Sequence, residues 1–243
     1  MALRRIYQHT TLHAGLQITL DQEASHHVLH VLKLKLNEPC VLFNGTGGEV
    51  KCHLSSIVHG QAIVSVDSFE DIDRESPCKI HLGQCISRGE KMDFTIQKAV
   101  ELGVDQITPI LSERCTVKLP KERWNKKLEH WNKVIISACE QCGRNRLPTL
   151  NNITSLTEWF QKTNDDCKLI LHHKTNRTLK DCAQNQTRIA LLVGPEGGFD
   201  QNEIALAQEN KFILTHLGPR ILRTETAALT AISILQFIND GMV

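Results

Sequence analysis

Two glycine-rich breaks near the C-terminus hold the residues best suited to ligand chemistry. In the first, the apolar run Leu191-Leu192-Val193 stops at Gly194-Pro195-Glu196-Gly197-Gly198 and passes into Phe199-Asp200. Glycines at a strand end let backbone groups approach a ligand with no Cβ in the way, and a helix starting just beyond offers unsatisfied N–H groups. The break carries no Gly-Lys-Ser/Thr and so is not a phosphate loop, and it lacks the spaced glycines of a dinucleotide fingerprint. On composition alone, a tight strand-to-helix turn is the stronger reading. The second break, His216-Leu217-Gly218-Pro219-Arg220-Ile221-Leu222-Arg223-Thr224-Glu225-Thr226-Ala227-Ala228, again runs from strand through a Gly-Pro turn into helix. Arg220 and Arg223 flank Ile221 and Leu222, a combination suited to an adenine ring on one side and a phosphate on the other. A lone arginine, Arg220 more than Arg223, is otherwise a solvated surface charge. Two such turns point to one shared pocket.

A sheet has to bring the two breaks together. From Lys79 onward, apolar runs alternate with helical periods, the sequence form of a mostly parallel sheet covered by helices. The runs at residues 80–86, 107–111, 168–172, 189–193 and 212–217 are the expected strands. Met92, Ile96, Ala99 and Val100 share one helical face, with Gly103 placed to end that helix. Trp124, Leu128, Trp131, Ile135 and Ala138 form a second stripe that ends near Cys142 and Gly143, and Asp200 with Glu203 forms a capping box. The last helix, over residues 226–238, is apolar on nearly every side. It is expected to be buried, either within the chain or against a second subunit.

The first ~70 residues differ, with short strands expected at residues 40–43, 50–58 and 62–66 and one helix over 21–36. A polar stretch, Glu70-Asp71-Ile72-Asp73-Arg74-Glu75-Ser76-Pro77, separates this part from the rest. At 243 residues, 41% hydrophobic and 23% charged, the chain can build a real core. No apolar run reaches the ~18 to 20 residues of a membrane span, and Met1-Ala2-Leu3-Arg4-Arg5-Ile6 leads into polar residues without a secretory core. A soluble, cytoplasmic protein with no membrane partner is expected. Nine scattered cysteines fit free thiols in a reducing compartment. Cys139 and Cys142 form a C-x-x-C inside a helical pattern with no second pair, which favours helix-face cysteines over a metal site, and no metal is expected. With a net charge of +1, any nucleic-acid surface must be a local patch.

Both breaks resemble the SPOUT methyltransferases, and specifically the RsmE family of 16S ribosomal RNA uridine-N3 methyltransferases. Further similar segments follow in that family's order: Ser87-Arg88-Gly89-Glu90-Lys91-Met92-Asp93, Lys98-Ala99-Val100-Glu101-Leu102-Gly103-Val104, Ser112-Glu113-Arg114-Cys115, and Glu140-Gln141-Cys142-Gly143-Arg144 with Pro148. In the N-terminal part, Arg4-Arg5-Ile6-Tyr7, His26-His27-Val28-Leu29-His30-Val31-Leu32 and Phe43-Asn44-Gly45 are similar, more loosely, to its PUA-like domain. His30 stands where the family pattern has arginine, and Cys142 where it has serine.

The resemblance implies an α/β protein with a small PUA-like β-barrel, an RNA-binding domain over residues 1–73. A SPOUT methyltransferase domain with a deep trefoil knot would follow over residues 74–243. It implies S-adenosyl-L-methionine as cofactor, held by Leu171 and His172, by Gly194, Pro195, Glu196 and Gly197, and by Leu217, Gly218, Ile221, Leu222, Arg223 and Thr226. It also implies a homodimer acting on 16S ribosomal RNA within the small subunit. For methylation at uracil N3, Arg223 is the candidate to stabilise developing negative charge, with Glu225 orienting it or removing the proton. Glu196 is read as a loop cap rather than a base. Arg4, Arg5, Arg88, Lys91, Arg114 and Arg144 are the candidate RNA contacts, with Arg146 beside them. The alternatives are ribose 2′-O methylation by the same kind of site, or a non-catalytic RNA-binding assembly factor.

Overall fold

The computed structural model describes residues 4–117 and 120–242 of the chain. They form two compact units, one of residues through Glu75 together with Ile136–Leu147, the other of Ser76–Ile135 with the residues from Pro148 onward.

The first unit is built on five strands, β1 (Arg4–Tyr7), β2 (Gln17–Thr19), β3 (Pro39–Phe43), β4 (Glu49–Val58) and β5 (Gln61–Glu70), in the order β1-β3-β4-β5-β2. β1 lies parallel to β3 and the other pairings are antiparallel. Period-two alternation sends Val50, Cys52 and Leu54 of β4 and Ala62, Val64 and Val66 of β5 into a core shared with Ile6, Leu20, Val28 and Leu42. The β4–β5 turn takes positive φ at both His59 and Gly60, the backbone form that matches the twist of a two-residue hairpin. The helix expected over 21–36 is shorter. α1 (Gln22–His26), capped by the Asp21 side chain accepting from Ala24 N–H, passes into a π-helical turn, His27–Val31. Val28 is buried and Leu29 and Leu32 pack on the core, but the helix ends at Leu32, so Leu36 lies in the turn that follows and is exposed.

In the second unit β6 (Lys79–Cys85), β7 (Gln106–Leu111), β8 (Thr149–Leu150), β9 (Thr154–Ser155), β10 (Cys167–Leu171), β11 (Arg188–Val193) and β12 (Ile213–Thr215) make a parallel sheet. Its order is β12-β10-β11-β6-β7-β8, with β9 also on β7. Helices cover both faces of such a sheet, which is why its strands read as unbroken apolar runs. Ile189 to Val193 are all buried. The helices are α2 (Glu90–Glu101), α3 (Lys121–Cys142), α4 (Leu156–Lys162), α5 (Leu179–Ala183), α6 (Gln201–Glu209) and α7 (Thr224–Ile238). Gly103 follows α2 with φ +83°, and the Asp200/Glu203 capping box opens α6. The last strand is shorter than its apolar run, because the chain turns away after Thr215 and His216 bridges to Thr178.

The expectation that the last helix is buried on all sides is not met within the chain. α7 packs on α2, α5 and β11, which buries Ala228, Ala231, Ile232 and Leu235. Leu229 and Ile234 remain half-buried, and Phe237 is 74% exposed.

Candidate functional site

Open parallel sheets bind ligands beyond the carboxyl ends of their strands, where successive connections diverge. Here the β6 connection runs to β7 on one side, while β11, β10 and β12 lie on the other. The segments leaving β10, β11 and β12 converge at that edge around a cavity of about 700 Å³, within the roughly 300–1,000 Å³ typical of ligand sites. Its wall includes Leu171, His172 and His173 from the first segment, Gly194 to Phe199 from the second, and His216 to Gly218 with Arg220 to Thr224 from the third.

The glycines at this edge are needed for close approach. A Cβ at Gly194 would lie 2.9 Å from the Phe199 ring, and one at Gly197 would lie 3.2 Å from Arg114 Cβ. The second segment is braced by residues of other segments, two of which also line the cavity. Arg114 Nη1 donates to Gly197 O (3.0 Å), and Glu196 Oε1 accepts from Lys91 Nζ and from Arg88 N–H, both at 3.4 Å. Burial pushes the Glu196 carboxyl up, but the backbone and Lys91 hydrogen bonds outweigh it and hold it below the usual carboxylate range. Glu196 is therefore an ionised loop brace, a poor base near neutrality. Desolvation first, then the electrostatic effect of the neighbouring His173 and Lys174, lowers His172, so its imidazole is neutral near pH 7. Its Nδ1 accepts from Lys174 N–H (3.2 Å).

The third segment is tied to the second beneath the cavity by residues that the motifs did not single out. Thr224 Oγ1 donates to Gly194 O (2.7 Å), and Gln84 Nε2 donates both to Thr224 Oγ1 and to Cys85 O at 3.0 Å. Gln84 is 0% exposed, and its register partner in the sheet is Val193, the last residue before Gly194. One signal for it was present: an amide set among Leu82, Gly83, Cys85 and Ile86, where a polar group must find a partner.

Of the expected cofactor residues, Leu171, His172, Gly194, Pro195, Glu196, Gly197, Leu217, Gly218, Ile221, Leu222 and Arg223 line the cavity, and Thr226 does not. Thr224 and Ala227 face it from α7, and with about 100° between successive helical residues the positions between them turn aside. Glu225 is turned aside for the same reason. Its Oε2 is buried with no hydrogen-bond partner among the described residues.

The expected RNA residues divide into two groups. Arg88, Lys91 and Arg114 gather beside the second segment, with Lys91 and Arg114 lining the cavity and Arg88 Nε bonded to Thr116 Oγ1 at 2.7 Å. Arg5 and Arg144 are interior in the first unit, which corrects their reading as RNA contacts. Arg144, 5% exposed, is paired through both Nε and Nη2 with Glu75. Arg5 pairs with Glu49, donates to Asn145 and lies over the Phe43 ring. Both guanidiniums are held by carboxylates inside the unit and are little exposed for phosphate. Arg4, half exposed, pairs with Glu38. Arg146 Nη1 donates to Thr46 O (2.6 Å), and the Cys139 thiol lies 3.8 Å from Arg146 O. Among the described residues no cluster of His, Cys, Asp and Glu could hold a metal ion, and no helix is long and apolar enough to cross a membrane.

Comparison with known proteins gives two family matches, an RNA methyltransferase domain over residues 74–236 and an RNA methyltransferase PUA domain over residues 20–67. The ribosomal RNA small subunit methyltransferase E of Buchnera aphidicola (Schizaphis graminum) is 37% identical over 233 residues, covering 96% of this chain and 95% of that protein. Its Bacillus subtilis namesake is 29% identical, covering 91% and 90%. Among solved structures, a Legionella pneumophila methyltransferase in complex with bound S-adenosylmethionine superposes with TM-score 0.95 at 43% identity, covering 98% of each chain. The Neisseria gonorrhoeae ribosomal RNA small subunit methyltransferase E, bound to S-adenosylmethionine, superposes with TM-score 0.90 at 39% identity, covering 97% of each.

Proposed function

This chain belongs to the ribosomal RNA small subunit methyltransferase E family, and from that premise we propose that it methylates N3 of a specific uridine in 16S ribosomal RNA, with S-adenosyl-L-methionine as donor. The observation that carries the reading is the cavity, assembled from both glycine-rich breaks at one sheet edge and lined by apolar Leu171, Leu217, Ile221 and Leu222 beside Arg223. These residues fit the cofactor. Apolar side chains suit an adenine ring, the glycines at 194 and 197 let the second segment lie close against Phe199 and Arg114 at the cavity wall, and the neutral His172 adds no positive charge to a site for a cationic cofactor. When bound, S-adenosyl-L-methionine supplies an electrophilic methyl group.

The protein's own task is alignment and charge control, since an in-line displacement gains much of its rate from holding the reacting atoms near contact. Uracil N3 is protonated in its neutral form, and its loss of a proton spreads negative charge onto the flanking carbonyl oxygens. Arg223, exposed at the N-cap of α7, is the group we assign to meet that charge. Glu225 acts as a positioning residue in the first helical turn. We assign RNA contact to Arg88, Lys91 and Arg114 at the cavity rim and to Arg4, and RNA binding to the PUA-like residues 1–73, with residues 74–243 as the catalytic domain.

The same reading carries a trefoil-knotted connection in the catalytic domain, a cytoplasmic location and a small-subunit context for the substrate. It also carries a homodimer. Ile221 is 85% exposed at the cavity and Phe237 is 74% exposed on α7, apolar surface of the kind a second copy would cover. The experiment is mass spectrometry of small-subunit RNA from cells with and without the gene, followed by add-back of purified protein and S-adenosyl-L-methionine. One 3-methyluridine should vanish on deletion and return on add-back, and an unchanged methyl pattern would overturn the reading.

A further inference from the structure

The chain's net charge is +1, yet residues 121–133 alone hold five Lys and Arg against two Glu, a net +3. The excess is ordered by the helix. At about 100° per residue, Arg123, Lys126, Lys127 and His130 of α3 fall within a ~100° arc, while Glu122 and Glu129 lie off to one side of it. Trp131 and Ile135, on another face of α3, are buried and fix its orientation.

Among the described residues the four arc residues line a shallow depression of about 460 Å³. Arg123 and Lys126 are exposed, and Lys127 is half-buried. Among the described residues no carboxylate pairs with the side chains of Arg123, Lys126 or Lys127. His130 differs, since its Nε2 bonds Asp93 Oδ2 (2.7 Å), and Asp93 Oδ1 accepts from Trp131 Nε1 (2.9 Å). Asp93 sits in α2, two residues after Lys91, whose side chain lines the cavity. The basic arc is thus anchored, through Asp93, to the helix that supplies one wall residue of the site.

Cations used for folding are paired with carboxylates elsewhere in this chain, as Arg5, Arg74 and Arg144 are. Three neighbouring cations with no carboxylate partner among the described residues, set within one helical turn beside a shallow depression, match a run of backbone phosphates. We propose that Arg123, Lys126 and Lys127 form a docking surface for RNA phosphates, an extension of the substrate site beyond the cavity. It rests on the RNA-methylating reading above. It positions the substrate and takes no part in methyl transfer.

The test is the triple variant Arg123→Gln/Lys126→Gln/Lys127→Gln. Its affinity for small ribosomal subunits and for naked 16S RNA is measured over a salt series, with S-adenosylmethionine affinity by calorimetry and methyl transfer to subunits. A control variant, Lys162→Gln/Lys180→Gln/Lys211→Gln, removes the same charge elsewhere. With roughly 0.7 of a log-log salt slope per single-strand phosphate contact, the arc variant should lose about 2 from the slope. KM for subunits should rise about tenfold or more near 0.15 M salt, with kcat at saturating subunits and cofactor affinity unchanged, while the control stays near wild type. An unchanged slope, or an equal loss in the control, overturns the proposal. So does a loss confined to subunits with naked RNA unaffected, which would mean that the arc meets protein. If the slope falls but wild-type protein transfers no methyl group to any RNA, the docking surface stands and the methylation reading fails.

Discussion

Thr224→Val removes one hydroxyl and keeps the side-chain volume, and it should disturb fold and site together. The hydroxyl donates to Gly194 O at 2.7 Å and accepts from Gln84 Nε2 at 3.0 Å, in a place where Gln84 is 0% exposed and Thr224 is buried. Valine leaves Gln84 Nε2 with only Cys85 O and strips Gly194 O of its side-chain donor. A buried polar group left unpaired costs about 1–3 kcal/mol, so two such groups at partial relaxation cost about 3 kcal/mol. In a chain of this size about 1 kcal/mol shifts Tm by roughly 2–4 °C, which gives a fall of about 6–12 °C in a thermal melt. The freed carbonyl belongs to the first residue of the cofactor segment, so calorimetry should also show S-adenosylmethionine Kd about tenfold weaker, which is about 1.4 kcal/mol. Thr224→Ser retains the hydroxyl and should recover most of both losses. If the valine and serine variants melt within about 1 °C of each other and bind cofactor alike, the buried relay does not hold the two segments together.

Four further outcomes are expected. Gly83→Ala would place a Cβ 2.6 Å from Trp159 Cζ2, on a ring already held by a hydrogen bond to His81 and packed on Phe160 and Phe212, so denaturant melts should show a loss of about 1–3 kcal/mol. Glu75→Ala removes the carboxylate that accepts from Arg144 Nε and Nη2 inside the unit and should cost about 3–5 kcal/mol in the same assay, and a near-neutral result would refute a structural role for the pair. At Glu49, burial opposes ionisation, but hydrogen bonds from Arg74 and Arg5 outweigh it and lower the carboxyl pKa. Its contribution is therefore full above the ordinary value of 4.5 and is lost as pH falls through the depressed folded value. Glu49→Gln should be less stable at pH 7 and should lose less on acidification in urea melts from pH 7 to 3, and a curve parallel to wild type would contradict this. Arg223→Ala should lower kcat on the order of 100-fold at saturating cofactor, and an unchanged turnover number would remove Arg223 from charge stabilisation.

The sequence by itself determined what depends on local periodicity and turn chemistry. The apolar runs at 80–86, 107–111, 168–172 and 189–193 became strands because a sheet covered on both faces demands continuous apolar residues. The Asp200/Glu203 capping box and Gly103 worked as local rules say, because each satisfies backbone groups within a few residues of itself. Both glycine-rich breaks were also legible, since only a turn tolerates that composition between an apolar strand and a helix. Tertiary structure alone decided the rest. Whether an arginine meets solvent or a buried carboxylate depends on residues distant in the chain: Arg144 finds Glu75, and Arg5 finds Glu49 and Asn145. The π-helical turn after α1 could not be read from spacing, because Leu29 and Leu32 still pack on the core there, while the helix stops at Leu32 and leaves Leu36 exposed in the turn that follows. Gln84 and Thr224 lie 140 residues apart and gain their importance from strand order, which sets β6 beside β11 so that one buried amide reaches the start of the last helix.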